Sequence, residues 1–201
     1  MRYSIWAGIA VFALATSAHA GTINGKISGA KGPSVVYVDA IAGKSFPVPI
    51  QHVVMNQMGM RFVPHLLVVQ QGTTVDFLNS DNMDHNVAWV SVGGNEKLSH
   101  NMGTWPQGQR RSFKFDNLGA VQLQCWIHPD MSAVILVVPT PYFAVADKSG
   151  NYRIENVPDG TYTLTVWNAK TTVWNAGAAT SHSMRVVVSG DTTQAKLSLA
   201  R

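Results

Sequence analysis

The only cysteine in the 201 residues lies in the run Gln124-Cys125-Trp126-Ile127-His128-Pro129-Asp130-Met131, and a second histidine stands upstream in Asp84-His85-Asn86-Val87. Thiolate, imidazole and thioether at C-x2-H-x2-M spacing, with another imidazole on a separate segment, make the ligand set of a mononuclear copper site. A soft thiolate and two imidazoles suit a trigonal plane, a long axial thioether tunes the potential, and such sites move single electrons. Cys125 by itself would read as a small buried hydrophobe. The placement of the other donors makes metal the stronger reading, so His85, Cys125, His128 and Met131 are the expected ligands of one type 1 copper ion. A structural zinc site more often carries paired C-x-x-C spacing, which one cysteine cannot supply.

These ligands need a rigid frame, and the sequence offers strands. Alternation of apolar and polar residues is visible at Val75/Phe77, Phe113/Phe115, Val121/Leu123/Cys125 and Tyr162/Leu164/Val166, each bounded by Gly, Asn, Asp or Pro. Long helical periodicity is missing. The expected fold class is therefore all-β, with Cys125 facing the apolar interior at the end of a strand, on the same face as Val121 and Leu123.

The loop and its surroundings resemble the cupredoxin family, and the Cys-to-His-to-Met spacing is that of its amicyanin branch. Phe62-Val63-Pro64, the run from Val68 to Asn79 with Gly72, Val75 and Phe77, and His85-Asn86-Val87 resemble the family's F-x-P, V-x-x-G-x-x-V-x-F-x-N and HNV landmarks. Phe113-Lys114-Phe115, Gly119 and Val121 to Cys125 resemble the strand pair that delivers the ligand cysteine. The resemblance implies a Greek-key sandwich over about residues 49–138, an Asn86 that ties the two ligand loops together, and His128 as the electron exit. As a plain sequence feature Asn86 reads equally well as a turn former at a strand start. Trp126 and Pro129 are expected to restrict the loop and exclude water.

The tail resembles a carboxypeptidase regulatory-like module, a small transthyretin-like β-sandwich, through Asp147-Lys148-Ser149-Gly150-Asn151-Tyr152 and Pro158-Asp159-Gly160-Thr161-Tyr162. Its usual opening strands are missing from the tail. They appear at the other end, in Gly25-Lys26-Ile27 and Val35-Val36-Tyr37-Val38, which predicts a discontinuous sandwich of residues 22–48 and 139–201 with the copper domain, 49–138, inserted in it. Insertions are tolerated at loop tips. The alternative is an N-terminal strand that belongs to the cupredoxin itself. On the insertion reading, a fragment of about residues 49–138 is expected to fold and bind copper alone. The combination, with Pro141-Tyr142-Phe143-Ala144-Val145 after the copper loop, resembles exported bacterial proteins labelled methylamine-utilisation proteins. That resemblance implies redox partners such as a cytochrome or a quinoprotein dehydrogenase.

Residues 1–20 read as a signal peptide: Arg2, an apolar stretch from Ile5 to Leu14 too short to span a bilayer, and Ala18-His19-Ala20 as cleavage site. Cleavage after Ala20 and a periplasmic location are expected, with no membrane span afterwards. A lone thiol is a liability in an oxidising compartment unless a metal holds it. The formal charge of +4 is mild and scattered, so no nucleic-acid partner is expected. No nucleophile elbow, Gly-rich phosphate loop or H-E-x-x-H is present, and an enzyme is not expected. The two functions in contention are a one-electron carrier and a copper carrier or storage protein that delivers metal. Met55, Met58 and Met60 with His52 and His65 form a candidate Cu(I) site, against which stands ordinary core or edge packing. His100 and Met102 fall in a stretch, Ser91 to Gly108, that reads as a long loop, Trp167 and Trp174 read as sandwich core or rim, and His182 has no evident partner.

Overall fold

The computed structural model describes residues 20–30, 32–169, 180–190 and 192–199. The leader, apart from Ala20, and Trp174 lie outside the described residues. The strands run in chain order β1 (Ala20–Ser28), β2 (Ser34–Val38), β3 (Val53–Gln57), β4 (Phe62–Val63), β5 (Leu66–Gln70) and β6 (Thr74–Asn79). Next come β7 (His85–Trp89), β8 (His100–Trp105), β9 (Arg110–Lys114), β10 (Gly119–Gln124) and β11 (Ser132–Val138). The tail adds β12 (Phe143–Val145), β13 (Asn151–Pro158), β14 (Gly160–Asn168), β15 (Thr180–Val188) and β16 (Thr192–Ser198). Among the described residues the one helical element is a 3-10 turn, Glu96–Leu98.

Two pairs of sheets form. One pair is β5-β11-β10-β7-β8 facing β4-β3-β6-β9, and the other is β13-β1-β16 facing β12-β2-β14-β15. The first pair closes on a core that includes Met55, Phe77, Trp89, Trp105, Phe115, Leu123 and Ile135. The second closes on Ile23, Val36, Ile154, Leu164, Val166 and Leu197. The fold class is all-β, a cupredoxin-like sandwich with a second β-sandwich, as the alternating runs required.

Strands β1 and β2 pair with tail strands. β1 runs antiparallel to β13 and parallel to β16, while β2 runs antiparallel to both β12 and β14. Gly25 sits where β1 passes under the ring of Tyr152, whose hydroxyl donates to Ala195 O at 2.6 Å. A Cβ at that position would run into Ala195 and Tyr152. Burial of the phenol pushes its pKa up to about 12.

The expectation that residues 49–138 fold alone meets an opposing feature in β11. Its sequence Ala133-Val134-Ile135-Leu136-Val137-Val138 is buried on both faces, because alternate residues serve different cores. Ala133, Ile135 and Val137 point into the copper-side core. Val134, Leu136 and Val138 form a third core with Val35 and Trp167 of the tail sandwich, flanked by Tyr37, Leu66, Val68 and Phe143. A near-continuous apolar run of this kind is what a strand covered on both sides requires. Trp167, expected in the sandwich's own core or at its rim, belongs to this contact between the sandwiches.

A second polar feature stabilises the copper-side sandwich. Asp76, 6% exposed on β6, accepts from Ser112 at 2.6 Å, His52 at 2.8 Å and Arg110 at 3.2 Å. The Ser112 hydroxyl does most to hold its carboxyl below the ordinary value, burial opposes it, and His52 and Arg110 add to it. A depressed folded-state pKa adds stability that is complete above the unfolded value and is lost as pH falls through the folded one. The Asp76→Asn variant is therefore expected to lose about 2 kcal/mol near neutral pH, the worth of hydrogen bonds to a charged group. Thermal melts should show this difference shrinking as pH falls below about 4, where the unfolded carboxyl takes up its proton. A deficit that stayed constant down to strongly acidic pH would show that the charge on Asp76 does not contribute.

Candidate metal centre

β7 and the loop between β10 and β11 bring the donors together. Cys125 follows directly on the last residue of β10 and is 2% exposed, inside the same core as Val121 and Leu123. The loop is held as a tight turn by backbone bonds, His128 N donating to Cys125 O, Met131 N to His128 O, and Cys125 N to Met131 O. This turn returns Met131 to the core beside Cys125, with 1% of its surface exposed.

The donor atoms of His85, Cys125 and His128 all lie within 4.8 Å of one another. His85 Nδ1 is 3.0 Å from His128 Nδ1, and Cys125 Sγ is 3.7 Å from His128 Nδ1. Ligands bound at about 2.0–2.3 Å around a trigonal ion would be about 3.5–4 Å apart. The Cys125–His128 pair already has this separation, and the two imidazoles need to part by under an ångström. His85 is fully buried and His128 half-buried, so one imidazole is sealed inside and the other reaches the surface. A thiolate with two imidazoles and a thioether beside them is a soft donor set that fits copper.

Surrounding groups fix this arrangement. Asn86 N donates to Cys125 Sγ at 3.3 Å, and Asn86 Oδ1 accepts from Trp126 N at 3.3 Å. Its Nδ2 donates to Asn101 Oδ1 at 2.8 Å and Gly103 O at 3.0 Å. Asn86 thus ties the two ligand-bearing segments to each other and to β8. On the other side, His85 Nε2 bonds Asp81 Oδ2 at 2.8 Å. Burial pushes the Asp81 carboxyl up, but the bonds from Met60 N, His85 and Gly59 N outweigh it and hold it below its ordinary value.

Several sequence expectations are placed differently. Trp126 is 58% exposed, so its indole stands in solvent beside Trp89 and His100 instead of excluding water. The stretch from Ser91 to Gly108 is not a continuous loop: it contains the 3-10 turn and β8, with His100 packed against Trp89 and Phe113 at centroid distances of 5.2 and 4.9 Å. The Met/His candidate for a second copper site is dispersed. Met55 is buried in the core, His52 bonds Asp76, and Met58 and Met60 are exposed on a turn. Asp81 and Asn101 were missed because both act from irregular or strand-edge positions with no local pattern around them.

Residues 50–138 match the family of copper binding proteins described as the plastocyanin/azurin family. The matched segment spans β3 to β11, the sandwich that carries the candidate donors. Residues 140–195 match a family described as polysaccharide lyase family 4, domain II, consistent with the second sandwich. Among curated proteins none matches the chain. Similar solved structures include a reduced Cu(I) form of an amicyanin variant, 27% identical, covering 45% of this chain and 85% of that one with a TM-score of 0.40. An oxidised amicyanin variant is also 27% identical over 45% of this chain and 85% of its own, at a TM-score of 0.41. The Cu-containing nitrite reductase from Thermus scotoductus SA-01 is 26% identical, covering 51% of this chain and 25% of that one, at a TM-score of 0.42.

Proposed function

We propose that this protein is a periplasmic type 1 copper protein that carries single electrons between redox proteins and catalyses no reaction of its own. The observation that carries the proposal is the convergence of one donor atom each from His85, Cys125 and His128 within 4.8 Å, in a segment that matches the plastocyanin/azurin family. Copper held there would supply a one-electron couple that changes ligand geometry little. Cys125 would hold the ion through a soft thiolate, His85 and His128 through imidazole nitrogens, and Met131 would offer a weaker thioether beside them. Asn86 N–H takes part of the sulfur's charge, and the half-buried His128 ring is the edge through which electrons pass to a partner such as a cytochrome or a quinoprotein dehydrogenase. Export with cleavage after Ala20 accords with a lone, metal-protected thiol. Two supports favour reading the copper domain as an insertion into a sandwich of residues 22–48 and 139–201: the pairing of β1 and β2 with tail strands, and the match over 140–195.

A metal-delivery protein needs an accessible, exchanging site, whereas Cys125, His85 and Met131 are buried. Voltammetry of the copper-loaded protein is expected to give a reversible one-electron couple together with slow copper loss to a chelator. Rapid loss with no reversible couple would favour delivery instead. In the same measurement Met131→Leu should raise the potential while copper stays bound, because an apolar axial residue removes electron density that favours Cu(II). An unchanged potential would exclude Met131 as the axial group.

A further inference from the structure

We propose that Asp81 is a positioning residue for the metal centre, fixing the tautomer and ring plane of His85 and anchoring them to the turn at residues 58–61. The inference rests on reading the His85, Cys125 and His128 cluster as a copper site. Asp81 Oδ2 lies 2.8 Å from His85 Nε2, and the same carboxylate accepts from Gly59 N at 2.6 Å and Met60 N at 2.9 Å. An ionised carboxylate only accepts hydrogen bonds, so a histidine bonded to it through Nε2 carries its proton there. The neutral ring's lone pair is then left on Nδ1, the nitrogen that lies 3.0 Å from His128 Nδ1. His85 is fully buried beneath this partner, so with Asp81 in place the ring is shielded from water.

The carboxylate is itself immobilised from several directions. Asp81 N donates to Asn79 Oδ1 at 3.0 Å, and Asn79 Nδ2 donates to Met83 O at 2.7 Å and Trp105 O at 3.0 Å. Across from it, Met58 N bonds Arg61 O at 2.9 Å and closes a turn in which Gly59 and Met60 have φ of 63° and 56°. A left-handed methionine costs of order 1 kcal/mol or more. Here that conformation is what aims two successive amides at one carboxylate, and their bonds to a charged acceptor offset the cost. The result is a chain of contacts from an exposed turn through Asp81 to a buried ligand. Its negative charge, one imidazole away from the metal position, favours the more positive oxidised ion over the reduced one.

Three variants and two kinds of measurement test this. In the metal-free wild type, nitrogen NMR of the His85 ring should show the proton on Nε2 and slow exchange with solvent. Asp81→Asn keeps an acceptor oxygen for Nε2 and should retain that tautomer, whereas Asp81→Ala should lose the protection and speed amide exchange at Gly59 and Met60. Asp81→Glu, with the charge kept but the carboxylate displaced, should preserve the potential better than Asp81→Asn. In the loaded protein, Asp81→Ala should weaken copper binding about 10–100-fold, the usual cost of removing a ligand's outer partner. Asp81→Asn should raise the reduction potential, by about 59 mV for each tenfold by which Cu(II) affinity falls more than Cu(I) affinity. A wild-type ring protonated on Nδ1, or an Asp81→Asn potential equal to that of wild type, would overturn the proposal. Wild-type protein that takes up no copper would instead overturn the copper reading, and the metal-free ring spectrum would still decide the role of Asp81.

Discussion

Loaded with stoichiometric Cu(II), the Cys125→Ser variant is expected to be colourless, whereas the wild-type protein shows an intense visible thiolate-to-copper charge-transfer band. The band depends on a covalent bond from a soft sulfur, which a serine hydroxyl cannot make. The fold should survive the exchange. The side chain is small and 2% exposed, and the new hydroxyl inherits a polar neighbour in Asn86 N–H, which lies 3.3 Å from the sulfur. Affinity should fall by more than the about 10–100-fold that loss of an outer hydrogen-bond partner costs, because an inner ligand is removed. Absorption titration, with near-ultraviolet circular dichroism as the control for folding, reads both effects. Colour that persisted in the variant would mean that Cys125 is not the metal thiolate. A colourless wild type after full Cu(II) uptake would remove the basis for a type 1 site.

The inner ligands were legible because their chemistry is local. Cys125, His128 and Met131 lie within one turn, and His85 is marked by the adjoining Asn86 and Val87. Alternation exposed β6, β10 and β14 for the same reason: each has one buried and one more polar face over much of its length. What escaped were features set by contacts between distant elements. Asp81 meets His85 and the 58–61 turn through a loop with no periodicity, so nothing in its neighbourhood distinguishes it from a solvated aspartate. β8 was hidden in a stretch rich in Gly, Asn and Ser, and it forms because β7 offers it a partner, with His85 opposite Trp105 and Trp89 opposite His100. Met55 alternates with Gln57 on the inward face of β3, which draws it away from Met58 and Met60 and disperses the second metal candidate. Trp126 adjoins a buried cysteine in sequence, yet the turn that buries Cys125 directs the next residue outward.

β11 carries the same lesson to a consequence for the whole molecule. A run of six apolar residues can be one buried strand in a single domain or a strand shared by two, and sequence does not distinguish them. The structure assigns Val134, Leu136 and Val138 to a contact with Val35 and Trp167. A fragment of residues 49–138 is therefore expected to be unstable or to aggregate, in contrast to the full chain. Burying each such side chain is worth about 1.5–3 kcal/mol. Losing three of them is comparable with the about 5–15 kcal/mol that holds a typical domain folded. Extending the fragment to residues 22–138 should not rescue it, since β1 and β2 would lack their partners β13, β14 and β16. Changing Val134, Leu136 and Val138 together to threonine should rescue it. That substitution makes the outer face polar, keeps Ala133, Ile135 and Val137 in the inner core, and leaves every copper donor in place. In the full chain the same triple change should do the opposite and destabilise the protein, because it places hydroxyls against Trp167 and Val35 without partners. Chemical denaturation of the five proteins, followed by fluorescence and by copper uptake, separates these outcomes. An unmodified 49–138 fragment as stable as the full chain would show that the contact between the two sandwiches contributes nothing to holding the copper domain.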